Sequence, residues 1–280
     1  MEAQLEQIRE QQRVTWNKFT PGWKKWDEVA MAFLKPMGDE IISSLKLKDT
    51  DLVLDIASGT GEPGLTISGV VSKGKVTSTD LSEAMVDVAR ETAISRGITN
   101  FETLVCDACE LPFEDNTFDA ISCRFGFMFF PDLLQAAKEM ARVLKPGGRV
   151  AASVWYSPEK NFWITAIMGP LNKNLQLPPP PPDTPGMFRC AKNGFIADLF
   201  KQAGLNNIIE KEVPGKINGS VDIYWNFMTE VAAPVSAGLG KADDAMKTKI
   251  KNEVFELVNQ KFPGGELAIE TSALVISGEK

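Results

Sequence analysis

Three aspartates, each closing a short apolar run, carry the chemistry that this sequence announces. LVL precedes Asp55, VTST precedes Asp80 and LVC precedes Asp107. After Asp55 comes Gly59-Thr60-Gly61-Glu62-Pro63-Gly64, the G-x-G-x-x-G spacing of a dinucleotide-binding turn. Such a turn brings the backbone against a pyrophosphate seated on a helix N-terminus. Here Asp55 and Glu62 flank the turn, and two carboxylates repel a doubly charged group but suit a cationic ligand. Asp80 lies 19 positions beyond Gly61 (80 − 61), where a carboxylate can take both hydroxyls of a ribose. Dinucleotide folds share that feature, so Asp80 indicates a nucleoside without discriminating. Asp107 is placed to accept from an adenine amino group. A single strand-end aspartate often only caps the next turn; three at consecutive strand ends, beside the glycine turn, point to a ligand.

The elements that must position these acids are legible in the periodicity. Apolar runs LVLDIA, KVTSTD, FETLVCD, FDAISCR and GRVAASVWY alternate with LSEAMVDVARETAISR and PDLLQAAKEMARVLKPGG, whose apolar residues recur at three and four. Strand–helix alternation of this kind predicts a parallel sheet with helices on both faces. Lys145-Pro146-Gly147-Gly148 reads as a helix stop and tight turn. Ahead of the first strand, Trp16, Phe19, Trp23 and Trp26 recur at helical spacing. Thr20-Pro21 reads as an N-cap with proline at N1, opening a helix to about Leu34, and Pro21-Gly22 splits the segment. Residues 157–190 read as irregular, and the five prolines at 178–182 as a stiff polyproline connector. A helix over 193–203, a strand in NNIIEKEV, helices over 219–262 and a closing strand in ELAIETSALVISGEK complete the pattern.

Composition excludes several classes. The net charge of −7, with no basic block, argues against nucleic acid as a partner. No run reaches the roughly 18 apolar residues of a membrane span, and the polar start shows no signal sequence, so a cytoplasmic protein is expected. The 280 residues contain no histidine, which removes Ser-His and Cys-His mechanisms and histidine-ligated metals. Cys106 and Cys109 form a C-x-x-C, but neither a second pair nor a histidine completes a metal site, and none is expected.

DIASGTG, VTSTD and VCDACELPFEDNTFDAISCRFGFMFF, with the LKPGGR turn, resemble the motifs of class I S-adenosylmethionine-dependent methyltransferases over about Leu52 to Tyr156. The type 11 subgroup, similar to the ubiquinone and menaquinone ring methyltransferases, is the nearest in pattern. The resemblance implies an α/β, Rossmann-like, seven-stranded sheet, mostly parallel with an antiparallel last strand, helices on both faces and a helical cap. It implies S-adenosyl-L-methionine as cofactor. Ala57, Ser58, Gly59 and Gly61 would lie against its methionine and ribose portion, Asp55 would help hold the ammonium end, directly or through water, and Asp80 would hold the ribose. Leu81 and Met85 would flank the adenine, which Asp107 and Ala108 would bind at its edge. Two departures stand out. Ala57 replaces a customary glycine, tolerable with a negative φ. Arg124-Phe125-Gly126 matches the quinone enzymes, but the arginine-asparagine pair that follows there is missing, so the resemblance does not specify a quinone acceptor.

The chain organises as a helical lid segment over 1–45, a cofactor core over 46–156, a cap insertion over 157–190, and a remainder over 191–280 with a helical substrate cap at 219–262. Phe19 and Trp23 read either as core or as part of a lid over the cofactor, hinged at Pro21-Gly22. Arg124 reads as a partner for the cofactor carboxylate, an anionic substrate group or a structural ion pair. Phe127, Phe129, Trp155 and Tyr224 are the expected acceptor wall, within a wider set that includes Phe162, Trp163, Met187, Trp225 and Met228. The sulfonium activates its own methyl group, so the protein's tasks are alignment and exclusion of water. Asp27, Tyr156 and Tyr224 are candidate bases that equally fit packing roles. The expected acceptor is a small aromatic or apolar molecule with an acidic or already nucleophilic O, N or S. The alternatives are a protein that binds the cofactor without methylating (a sensor or rearrangement catalyst) and an NAD-type oxidoreductase.

Overall fold

The computed structural model describes residues 2–280 apart from 179, 180 and 182, so the middle of the predicted proline connector lies outside the described residues. Seven strands form one sheet in the order β3-β2-β1-β4-β5-β7-β6. They are β1 (Leu52–Ile56), β2 (Lys75–Asp80), β3 (Phe101–Val105), β4 (Phe118–Arg124), β5 (Leu144–Trp155), β6 (Asn206–Gly219) and β7 (Leu267–Glu279). The first five pair in parallel, and β7 lies between β5 and β6, antiparallel to both. From Val150 to Trp155 every residue is buried. A strand buried at consecutive positions has both faces covered, which accounts for its run of apolar residues without alternation.

Ten α-helices surround the sheet among the described residues: α1 (Glu2–Lys25), α2 (Asp27–Leu45), α3 (Gly64–Val70), α4 (Glu83–Ser95), α5 (Leu133–Val143), α6 (Phe162–Leu175), α7 (Phe195–Gln202), α8 (Val221–Val231), α9 (Ala233–Leu239) and α10 (Asp244–Lys261). None is long and apolar enough to cross a membrane. The strand order reverses between β1 and β4, so the carboxyl ends of β1, β2, β3 and β4 gather around one crevice, where open α/β sheets bind ligands. α2 packs on β4, β5, β6 and β7, while α1 bridges α4 to α8 across the crevice.

The N-terminal segment departs from expectation. Thr20 does not cap a helix: α1 runs through Pro21, and the Thr20 hydroxyl donates to the Trp16 carbonyl (2.9 Å). Nor does Pro21-Gly22 split the segment. A Cβ at Gly22 would sit 2.2 Å from the Glu230 carbonyl oxygen, so the glycine permits close approach of α1 to α8. The break falls at Trp26 instead, whose indole donates to Glu230 (2.9 Å). α2 then passes Pro36 and ends at Lys46 in a left-handed cap. The stretch after residue 157 is also less irregular than its composition suggests, because α6 takes up 14 of its residues, with Trp163, Ile164, Ile167 and Leu171 buried.

Candidate active site

The glycine turn is wired to the end of β2. Ser58 donates its backbone N–H to the Thr79 carbonyl (3.0 Å), and Gly59 donates to Asp80 Oδ2 (2.9 Å). The other oxygen, Asp80 Oδ1, accepts from the Ser82 amide (2.9 Å). Burial pushes the Asp80 carboxyl above its ordinary value, opposed by these amides. Asp107 is held in a similar way: Oδ1 accepts from the Cys109 amide (2.9 Å) and Oδ2 from Arg9 Nε on α1 (2.5 Å).

A cavity of about 1020 Å³ opens beside these acids. Of the residues expected at the cofactor, Ala57, Ser58, Gly59, Asp80, Leu81, Met85, Asp107, Ala108, Arg124, Phe19 and Trp23 line it. Phe129 and Trp155, expected at the acceptor, do so as well. Six expected residues do not. Asp55 points into the sheet, accepting from the Ser122 hydroxyl (2.6 Å) and the Gly64 amide (3.0 Å). Its burial raises its pKa to about 7, against the opposing pull of Ser122, Arg124 and Gly64. Gly61, at φ +112, serves the turn, since a Cβ there would lie 2.8 Å from Leu65. Phe127 is fully buried between Phe130 and Phe200. The Tyr224 hydroxyl is also buried and donates to the Trp163 carbonyl (2.5 Å), so it can neither accept a proton from an acceptor nor touch one. Tyr156 lies outside the wall with Lys160 over its ring (4.7 Å). Asp27 is off the wall too; partial burial raises its pKa, with Arg96, Glu62 and Arg124 as its charged neighbours. In the wider aromatic set, Trp163 and Met187 reach the cavity, whereas Phe162, Trp225 and Met228 pack elsewhere.

Ala57 adopts φ +53, not the negative value expected for a residue replacing glycine. The left-handed region costs an L-residue roughly 1–2 kcal/mol. The space for its methyl group comes from across the crevice: a Cβ at Gly126 would sit 2.4 Å from the Ala57 Cβ. Gly126 therefore surrenders the volume that Ala57 takes.

The far half of the cavity is aromatic. Trp155 is sandwiched between Phe125 (4.1 Å, 20°) and Phe33 (5.5 Å, 7°), with Trp163 tilted against it (4.8 Å). Phe129 meets Trp16 of α1 edge-on (5.1 Å), and Met168 and Phe227 extend the wall. Phe125 was readable: it directly follows β4, as the expected acids close their own strands. Phe33, Met168 and Phe227 were not, because nothing local says which face of their helices meets a ligand.

The charges around the turn are more compensated than the sequence suggests. Glu62 accepts from the Thr66 amide (3.1 Å) and hydroxyl (2.7 Å) and pairs with Arg96 (3.0 Å). Arg124 has no carboxylate within 4 Å among the described residues; it donates to the Met31 sulfur (3.4 Å), and burial lowers its pKa. A half-buried guanidinium without an ion pair is a ready partner for an anion. Among the described residues, no group of three or more His, Cys, Asp or Glu side chains is arranged to hold a metal.

The ubiE/COQ5 methyltransferase family matches residues 31–165. A demethylmenaquinone methyltransferase of Bacillus subtilis is 30% identical over 207 residues, covering 68% of this chain and 86% of the relative. One of Staphylococcus epidermidis is 40% identical over 111 residues, 39% of this chain and 45% of the relative, so that match spans under half of the relative's length. In fold, the chain is similar to the YcgJ protein of Bacillus subtilis, with a TM-score of 0.57 and 22% identity over 87% of this chain and 97% of that one. With the glycine turn, the strand-end acids and the seven-stranded sheet accounted for together, the dinucleotide alternative falls away, and the chain belongs to the ubiE/COQ5 methyltransferase family.

Proposed function

We propose that this protein transfers a methyl group from S-adenosylmethionine to an apolar aromatic acceptor. The observation that carries this reading is that one cavity joins the strand-end acids to the aromatic wall. Its volume of about 1020 Å³ lies at the top of the range for small-molecule sites, roughly 300–1,000 Å³, consistent with two ligands side by side. The residues fit the cofactor. A Cβ at Gly59 would meet no atom within 4 Å, so the turn leaves open room along its backbone. Asp80 would hold the ribose hydroxyls, Asp107 the adenine amino group, and Leu81 and Met85 the faces of the base. The unpaired Arg124 would take the cofactor carboxylate. Phe19 and Trp23 on α1 would cover the assembly.

S-adenosylmethionine supplies, when bound, an electrophilic methyl group on a positively charged sulfur. The chain's own work is then orientation and exclusion of water. Phe125, Phe129, Trp155 and Met168 offer flat apolar surface against which an aromatic ring can be aligned. No carboxylate expected at the cofactor is free to act as a base: Asp80 and Asp107 are held by backbone amides, and Glu62 by Thr66 and Arg96. Burial pushes the Cys106 thiol up to about 12, so it stays protonated at neutral pH. An acceptor that brings its own acidity, as a phenol or a reduced quinone ring does, fits this set of residues. A quinol comes first among candidates, since the relatives are demethylmenaquinone methyltransferases.

The test is transfer of labelled methyl from S-adenosylmethionine to demethylated naphthoquinols and to apolar phenols of graded pKa. Label should enter the ring or its oxygen, with a rate that rises through the acceptor's own pKa. Tight binding of S-adenosylhomocysteine with no labelled product from any aromatic acceptor or cell extract would favour the non-methylating alternative.

A further inference from the structure

We propose that Arg9 is a positioning residue for adenine recognition, coupling the N-terminal helix to the identity of the base. The inference rests on the cofactor reading above and goes beyond it, because Arg9 lies 98 positions from the acid it serves and does not line the cavity.

Two observations converge. Arg9 Nε donates to Asp107 Oδ2 (2.5 Å) while the Cys109 amide occupies Oδ1 (2.9 Å). A carboxylate oxygen has two lone pairs, so each oxygen retains one for a ligand. With both oxygens tethered, the side chain is fixed in one rotamer and only a donor at the right place can complete it. The second observation is that α1 is stitched along the adenine side of the crevice by further contacts. Arg13 bridges to Glu83 (3.2 Å), and the Asn17 side chain accepts from the Ser82 hydroxyl (2.6 Å) and donates to Glu83 (3.0 Å). These three polar contacts dock the helix on the start of α4. Arg9 alone engages an acid of the cavity wall.

A purely docking role and a positioning role differ in what they do to base discrimination. Adenine presents an amino donor to Asp107; hypoxanthine presents a carbonyl oxygen at the same place and is repelled by the carboxylate. Releasing Asp107 from Arg9 lets it rotate and hydrate, which costs the adenine ligand its hydrogen bond and relieves the hypoxanthine ligand of its repulsion. Loosening α1 as a whole weakens both ligands alike.

The experiment is calorimetric titration of the full chain with S-adenosylhomocysteine and with S-inosylhomocysteine, for the parent, Arg9→Ala, Arg9→Lys and Arg13→Ala. The parent should favour the adenine ligand by 30-fold or more. Arg9→Ala should bind S-adenosylhomocysteine about tenfold more weakly and S-inosylhomocysteine within twofold of the parent, so that discrimination collapses. Arg9→Lys, keeping a cation, should recover part of it, and Arg13→Ala should leave the ratio unchanged. If Arg9→Ala keeps the parent's ratio, or weakens both ligands equally, Arg9 only docks the helix and the proposal is overturned while the cofactor reading stands. If the parent binds neither ligand, the cofactor reading itself fails and takes the proposal with it.

Discussion

The two ends of the cavity are built on opposite principles. At the turn end, Glu62, Asp80 and Asp107 each accept at least one backbone N–H, so the polar groups are fixed by the chain path itself. At the far end the wall is Phe33, Phe125, Trp155 and Trp163 stacked on one another, with their places set by packing among α2, α6 and the strands. Backbone wiring tolerates little change in residue type, whereas a packed aromatic wall can be re-cut one side chain at a time. On the function proposed above, one end is thus suited to a single cofactor, and the other can vary with the acceptor.

Four substitutions sharpen or break this contrast. The largest effect concerns Asp55, beneath the turn. Its folded pKa of about 7 lies above the unfolded value of roughly 3.9. The folded state therefore binds the proton more tightly, and the stabilisation present below pH 4 is lost as pH rises through 7. A shift of this size corresponds to about 4 kcal/mol. Asp55→Asn, with its carbonyl on the Gly64 amide and its amide on Ser122, should abolish this part of the slope, read by urea denaturation at pH 5 and pH 8. An unchanged slope would place the titration elsewhere.

Next comes Gly126→Ala, expected to destabilise by roughly 2–4 kcal/mol through collision with the Ala57 methyl group. Ala57→Gly should recover about half in the double variant, since the Cys123 sulfur at 3.0 Å and the Phe130 ring at 3.3 Å still crowd the added Cβ. Strict additivity in a thermal-melt cycle would deny that the two share one space. Asp80→Asn places an amide nitrogen against one of two backbone donors. It should weaken S-adenosylhomocysteine binding about 100-fold, near 2.7 kcal/mol; a calorimetric change under threefold contradicts its role. The smallest effect is expected at the aromatic end. Met168→Ala should raise the acceptor KM about fivefold, roughly 1 kcal/mol, with cofactor affinity within twofold of the parent. Equal loss of both affinities would mean that the two ends are not separable.

The same contrast explains what could be read from the sequence. A strand-end acid beside a glycine turn is a local signal, because strand polarity and the switch point fix where such residues go. The place of Asp80 and Asp107 on the cavity wall was legible for that reason. Asp55 was misread because the same logic does not say toward which side a strand-end carboxylate turns, and Ser122 on β4 decides it. Ala57 was misjudged because its left-handed backbone depends on a glycine 69 positions away (126 − 57). Tyr224 and Phe127 look like ligand-binding aromatics by type, yet whether an aromatic faces a cavity or the core is settled by tertiary packing. Arg9, in a polar helix of alternating charge, gives no local sign of its partner.

The place of β7 carries a consequence for the order in which the molecule can assemble. The strands β1 to β5 neighbour one another through short crossovers, so their pairing can proceed as the chain leaves the ribosome. β6 cannot join them on its own, because the strand between it and β5 is made about fifty residues later, after α8, α9 and α10. Until β7 arrives, β5 is an open edge of apolar residues and β6 an unpaired ribbon, both templates for the wrong neighbour. The cofactor half is therefore expected to be in place early in synthesis, and the aromatic half, whose Trp155 sits opposite Ala273 of β7, to wait for that late insertion.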